Sequence, residues 1–236
     1  MSTAVVTGAG RGLGVSLVRS LCRRGVDVIG TVRNPDAAEP VRACGARVAQ
    51  LDLADEVSIA AFVAGLGDEP VDLLVNNAAT NASPGSGPTF GGGPMDISPE
   101  VFMLQIRTNA LGPMLLTRAL ADRLAASDAP RVVNVSSHLG LPEVNLYRGN
   151  DVGYSASKGA LNVVTAFMSR VLQPSGVIVV AVHPGWVRTD MGGPRAVLDP
   201  DEVAETMCEM IDRLTMEQSG RLLTMTGEPF TPAPPG

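Results

Sequence analysis

Thr3-Ala4-Val5-Val6-Thr7-Gly8-Ala9-Gly10-Arg11-Gly12-Leu13-Gly14 opens the chain with a short apolar run that breaks into four glycines within seven residues. The run reads as a strand and the glycines as the turn into a helix, with a second apolar run at 26–32. Glycine lets the backbone turn tightly and approach a pyrophosphate, which then rests on the positive end of the helix. Strand, glycine turn, helix and second strand together form the dinucleotide fingerprint. Gly8, Gly10, Arg11, Gly12, Leu13 and Gly14 are therefore candidate cofactor contacts.

The second strand ends in Thr31-Val32-Arg33-Asn34. A site that prefers NAD usually places a carboxylate there for the ribose 2′-hydroxyl. Arg33, with Arg11 from the glycine turn, suits a 2′-phosphate instead, through charge-assisted bidentate hydrogen bonds. The expected cofactor is NADP(H). Asp52, before Leu53, follows the third strand and is placed either to accept from the adenine amino group or, like Asp55, to cap the next helix. Asn76-Asn77-Ala78-Ala79 ends the fourth strand, at the rim where open parallel sheets bind ligands. Asn77 either fixes the cofactor ribose or ties strands together.

Outward from that turn, Val-, Ile- and Leu-rich runs at 3–7, 26–32, 46–51, 71–75, 130–136, 177–182 and 220–224 alternate with helical patterns. The helical stretches fall at 12–25, 36–44, 55–65, 98–127, 151–173 and 200–214. Strands of this kind, without polar alternation, are covered on both faces. The expected architecture is α/β, a single-domain, doubly wound Rossmann fold over 1–236 with a seven-stranded, mostly parallel sheet. Ser98-Pro99-Glu100 and Asp199-Pro200-Asp201-Glu202 carry helix-start signals. Residues 80–94, rich in Gly, Ser and Pro, read as a loop within the domain, residues 185–198 as a lid, and residues 229–236 as an extended tail.

Composition narrows the function classes. A net charge of −6 disfavours nucleic acid and acidic membranes as partners. No apolar run approaches the roughly 20 residues of a bilayer span, and no secretory signal is visible, so a soluble, cytoplasmic protein is expected. Cys22, Cys44 and Cys208 are too widely spaced for a zinc site, and no acidic cluster suggests another metal. The basic residues are seventeen arginines and one lysine, Lys158. A compact ammonium kept at one position marks a place where a forked guanidinium fails.

Tyr154-Ser155-Ala156-Ser157-Lys158 falls in the helical stretch 151–173. A spacing of four puts the phenol and the ammonium on one helix face. Tyrosine ordinarily titrates near ~10; a neighbouring cation favours its phenolate and brings proton exchange toward neutral pH. Ser137, at the end of the fifth strand, is placed to hold a substrate carbonyl. Ser136 points to the other face by alternation. Beyond Ser137 a loop leads to Tyr154. His138 reads as a substrate-lining or merely polar wall residue, and His183 as part of the Pro184-Gly185 turn. Trp186 and Met191 are further lining candidates.

With TGAGRGLG, NNAA and YSASK on the page, the chain resembles the short-chain dehydrogenase/reductase superfamily along nearly its whole length. The resemblance implies Tyr154 as general acid/base, Ser137 as carbonyl-orienting residue and Lys158 as a nicotinamide-ribose ligand that tunes the tyrosine. Asn109, in Arg107-Thr108-Asn109-Ala110-Leu111-Gly112-Pro113, matches the family's water-holding asparagine in a proton relay. Val182-His183-Pro184-Gly185-Trp186-Val187-Arg188-Thr189-Asp190-Met191-Gly192-Gly193 is similar to the sniffer and C-factor type of carbonyl reductases, mostly linked to NADPH. That branch adds Ala78, Pro184, Gly185, Val187 and Thr189 to the cofactor contacts. Two departures bear on pocket shape: Ala79 stands where the family usually has glycine, and the Ser137–Tyr154 separation exceeds the commonest one. The implied activity is NADPH-dependent reduction of a small ketone or aldehyde, by a protein able to form a homodimer or homotetramer. A redox-neutral enzyme on the same scaffold, or a non-catalytic NADP(H) sensor, is the alternative.

Overall fold

The computed structural model describes residues 2–81, 92–148 and 151–232. Seven strands form one sheet: β1 (Thr3–Val6), β2 (Asp27–Val32), β3 (Arg47–Gln50), β4 (Leu73–Asn76), β5 (Arg131–Val135), β6 (Ile178–His183) and β7 (Leu222–Thr224). Their order is β3-β2-β1-β4-β5-β6-β7, and every pairing is parallel. The chain starts at the centre, winds outward through β2 and β3, then returns past β1 to β4. That reversal between β1 and β4 opens the crevice where α/β sheets bind ligands.

The strands bury both faces because their apolar residues are continuous. Val6, Val75, Val133 and Val180 pack beneath α1 (Gly12–Arg23) and the last helix, Pro200–Arg213, against Leu17, Leu21 and Met207. Val5, Leu74, Val132 and Val179 face the opposite layer with Phe62, Leu116 and Leu120. Two further helices, α2 (Glu39–Arg42) and α3 (Glu56–Gly65), lie between β2 and β4. Asp55 caps α3, its carboxylate accepting from Val57 N at 2.9 Å.

Three segments depart from expectation. The stretch 36–44 is not one helix but a 3-10 turn, Pro35–Ala37, followed by the four-residue α2. The stretch 98–127 is broken into α4 (Pro99–Ile106), a π-helical turn (Arg107–Leu111), α5 (Gly112–Ala119) and α6 (Ala121–Ala125). Gly112, where the π turn ends, packs so tightly that a Cβ would lie 2.4 Å from the Leu53 carbonyl oxygen. The expected loop after Ser137 is instead a 3-10 turn, His138–Gly140, and α7 (Pro142–Arg148), leading into α8 (Val152–Leu172). Pro142 opens α7 from its first position, the place where proline's missing N–H costs nothing. The Pro200–Arg213 helix is α9, capped by Asp199 as its sequence indicates.

Of the loop 80–94, residues 82–91 lie outside the described residues, as do 233–236 of the tail. The described tail is attached: Pro229 bridges Leu223 antiparallel, and Phe230 N donates to Leu222 O at 2.8 Å. Among the described residues no helix is long and apolar enough to cross a membrane. Leu74 is fully buried at the sheet centre. Leu74→Ala is expected to cost about 2–5 kcal/mol in urea unfolding through transfer and cavity terms, and a cost below 1 kcal/mol would contradict this packing.

Candidate active site

Two ends of one crevice are built by the C-terminal rim of the sheet. At the phosphate end, Gly8 and Gly12 have φ of +65° and +55°, conformations that favour glycine. Gly14 touches the strand side: a Cβ there would lie 2.1 Å from Gly8 O and 2.7 Å from Asn77 Nδ2. Asn77 locks this turn by donating from Nδ2 to Thr7 O at 2.9 Å and Gly8 O at 3.3 Å. Thr7 Oγ1 accepts from Asn77 N and Ala78 N, each at 3.0 Å. Asn77 thus shapes the cradle, while Asn76 ties β4 to β5 through Asn134 Oδ1 at 2.8 Å.

The segment 185–198 forms the opposite wall and is tied to itself. Arg188 N donates to Leu198 O at 2.8 Å, Gly192 N to Thr189 Oγ1 at 3.1 Å, and Trp186 Nε1 to Gly192 O at 2.8 Å. Thr189 comes against the glycine turn, 3.0 Å from where a Gly12 Cβ would stand. Arg11 Nη1 pairs with Asp190 Oδ2 at 2.8 Å across the gap. Arg11 is therefore turned toward the 185–198 segment in this structure. Arg33 is exposed and shares a cleft with Asp52, Asp55 and Ser58. Asp52 accepts from Ala54 N at 2.9 Å, a local turn role that leaves its second oxygen for a ligand.

At the reacting end, Asp151 starts α8, its Oδ1 accepting from Tyr154 N at 2.9 Å. Gly153 keeps the helix flush against α4, since a Cβ there would lie 2.0 Å from Gln105 Oε1. Lys158, one turn on, is 2% exposed and donates from Nζ to Val135 O at 2.8 Å. Its Nζ lies 5.6 Å from the Tyr154 ring centroid. Ser136 turns into α8, its hydroxyl donating to Asn162 Oδ1 at 2.6 Å. Ser137 faces the tyrosine, and its Oγ accepts from Leu139 N at 3.1 Å.

Burial pushes the Tyr154 phenol up to about 12; the Ser137 hydroxyl draws it down and the Asp151 carboxylate raises it further. Burial alone brings Lys158 down to about 7. At neutral pH the phenol therefore keeps its proton, whereas Lys158 divides between its charged and neutral forms.

Asn109 lies on the π turn, fully buried. Its Nδ2 donates to Thr80 O at 2.8 Å and Ser157 Oγ at 2.9 Å, and its Oδ1 accepts from Thr80 N at 2.8 Å. Both amide hydrogens are thus used in bracing α8 and the strand β4 exit, and Oδ1 keeps a second lone pair.

Residue-by-residue reading missed three groups. Asp151 carried a signal, a capping residue just before an apolar helix. The histidines were set apart as wall and turn, yet His138 Nδ1 and His183 Nε2 are 2.8 Å apart; both follow neighbouring strands, which was the available clue. Phe230 had no signal. Met191 is half-buried and Trp186 is 49% exposed, both in the lid.

A model of the short chain dehydrogenase family matches residues 2–197. The chain belongs to that family. C-signal of Myxococcus xanthus is 38% identical over 167 residues, covering 71% of this chain and 96% of that protein. L-xylulose reductase of Bos taurus is 34% identical over 216 residues, covering 90% and 81%. Human retinol dehydrogenase 13 is 35% identical, but the chain spans only 60% of its length. Among solved structures, the NADPH-bound carbonyl reductase from chicken fatty liver superposes with a TM-score of 0.87 at 26% identity, covering 98% of each chain. The Drosophila melanogaster carbonyl reductase Sniffer gives 0.86 at 27% identity, over 97% and 98%.

Within this family member the buried lysine has a measurable signature. Its folded value, about 7, lies below its unfolded value of 10.5. Between those pH values the unfolded chain holds a proton that the folded chain lacks, so stability rises with pH across that window. Lys158→Met is expected to flatten this rise and to stabilise the ligand-free protein at neutral pH by about 1–2 kcal/mol. Urea unfolding of both proteins at several pH values between 7 and 10 checks this; parallel curves would contradict it.

Proposed function

We propose that the chain is an NADPH-dependent carbonyl reductase in which Tyr154 protonates the oxygen of a ketone or aldehyde as it becomes an alcohol. The observation that carries this reading is the half-buried Tyr154 beside the buried Lys158 and opposite Ser137, at the rim beside a glycine cradle that a Cβ would fill. The residues fit a dinucleotide. Gly8, Gly10, Gly12, Leu13 and Gly14 would hold the pyrophosphate, with Pro184, Gly185, Val187 and Thr189 on the lid side and Leu53 and Ala78 toward the adenine and ribose. Lys158 has donors beyond its bond to Val135 O, which ribose hydroxyls would accept. When bound, NADPH supplies the hydride.

The protein's own part follows from the geometry. Ser137 Oγ donates to the substrate carbonyl oxygen and orients it. Tyr154 gives its phenolic proton to the same oxygen as negative charge grows there, a contribution of about 10²–10⁴-fold. The charged Lys158 then stabilises the phenolate left behind, and Asn109 braces the helix that holds both. Arg11 reaches the 2′-phosphate by leaving Asp190, an exposed pair that costs about 0–1 kcal/mol to open. Arg33 meets the phosphate from the other side. The partner is a small carbonyl compound. For self-association, the stripe Val163, Phe167 and Val171, all more than half exposed along α8, is the candidate contact.

Two measurements test the reading. NADPH oxidation over a panel of ketones and aldehydes is expected, with Tyr154→Phe lowering kcat about 10²–10⁴-fold; full activity in that variant would refute the assignment. Arg33→Ala is expected to raise the KM for NADPH about tenfold, roughly the strength of one charge-assisted contact, and to leave that for NADH unchanged. Equal losses with both cofactors would place Arg33 elsewhere.

A further inference from the structure

Between Ser137 and Tyr154 the chain makes the 3-10 turn His138–Gly140, packed on α8, and then α7, packed on that turn. Ser137 caps the turn, its Oγ accepting from Leu139 N at 3.1 Å. That bond takes one lone pair of the hydroxyl and leaves its hydrogen for an acceptor. The position of the turn therefore decides where the Ser137 hydroxyl stands.

On the lysine side the segment reaches α8 directly. Ser136 donates from Oγ to Asn162 Oδ1 at 2.6 Å, and a Cβ on Gly140 would lie 2.7 Å from the Lys158 carbonyl carbon and 2.8 Å from Gly159 N. On the tyrosine side the link is Asn145, from α7. Its Nδ2 donates to Leu139 O at 2.6 Å and to Leu141 O at 3.2 Å, and its Oδ1 accepts from Ser155 Oγ at 3.1 Å. The chemistry fixes this orientation of the amide, because a flipped one would set its oxygen against two carbonyl oxygens, neither of which can donate. Ser155 is buried and follows Tyr154 in the chain. One side chain thus spans from the turn that Ser137 caps to the residue beside the phenol. Leu139 is the shared link: its N–H holds Ser137, and its carbonyl is held by Asn145.

We propose that Asn145 is a positioning residue: by tying the turn capped by Ser137 to Ser155, it sets the Ser137 hydroxyl against the Tyr154 phenol so that both meet one carbonyl oxygen. The proposal rests on Ser137 and Tyr154 being the reacting centre. Asn145 acts on that centre through Leu139 on one side and Ser155 on the other. Its removal takes a donor from two carbonyls of the turn and cuts the turn loose from the tyrosine end of α8. Turnover depends on alignment to a fraction of an ångström, so a displaced hydroxyl lowers kcat. The glycine cradle makes no bond to Asn145, so cofactor affinity is left as it was.

Two variants separate donation from shape. Asn145→Ala removes the bridge, and Asn145→Asp keeps its size and the acceptor for Ser155 while giving up both hydrogens. Amide hydrogen exchange, followed by NMR on the full-length protein, reads the turn without turnover. Leu139 N–H is expected to exchange about tenfold faster in either variant, with Leu161 N–H in the middle of α8 unchanged. In NADPH-dependent reduction of butane-2,3-dione, both variants are expected to lose about 10–100-fold in kcat, with the KM for NADPH changed less than about twofold. An unchanged Leu139 amide, kcat restored by Asn145→Asp, or a loss carried by the KM for NADPH would overturn the proposal. So would faster exchange that spreads to Leu161, the mark of a general folding role. A parent protein that oxidises no NADPH across the carbonyl panel would refute the catalytic reading beneath it, whereas the exchange rates decide on their own whether Asn145 holds the turn.

Discussion

An ammonium buried behind a phenol is the constraint from which the site is built. Lys158 is 2% exposed, and its bond to the Val135 carbonyl anchors it at the exit of β5. Burying a cation in this way is unfavourable unless acceptors surround it. Among the described residues Lys158 is the one fully buried cation, and the same place holds Tyr154 and Ser137. α8 must therefore be held in register to within a fraction of an ångström. Asp151 capping Tyr154 N, Gly153 lying flat on Gln105 and Asn109 bracing Ser157 all serve that register.

The phosphate end obeys a complementary rule of close approach. Gly14 against Gly8 O, and Asn77 holding the carbonyls of residues 7 and 8, fix a close-packed turn in which alternate residues from Gly8 to Gly14 carry no side chain. The exposed Arg11–Asp190 pair joins this turn to the lid. Such an exposed pair is weakly held. The phosphate end thus joins a packed turn to a loosely held ion pair.

Most of this architecture was legible in the sequence, for physical reasons. Continuous Val and Leu runs mark covered parallel strands, and all seven expected runs contain the observed strands or overlap them closely. The glycine turn, the Tyr-Lys spacing and the arginine-for-lysine bias are local patterns with local causes. What escaped depended on tertiary contact. The π turn at Asn109 arises because α4 and α5 must pass Leu53 and α8 together, and no local propensity announces that. Residues 138–148 hold a three-residue 3-10 turn and the seven-residue α7, each too short for a helical period to stand out. The histidine pair exists only because β5 and β6 are neighbours, and Phe230 joins it from more than forty residues beyond His183.

A family match to the short chain dehydrogenases fixes the scaffold more closely than the reaction, since one scaffold supports both reductive and redox-neutral steps. The central claim is that this member reduces its substrate. Turnover with NADPH deuterated at the transferable position of the nicotinamide, followed by mass spectrometry of the product, tests it most directly. The account predicts one deuterium on the new carbinol carbon and one equivalent of oxidised cofactor per alcohol. Product that carries no label, formed while the cofactor stays reduced, would contradict it.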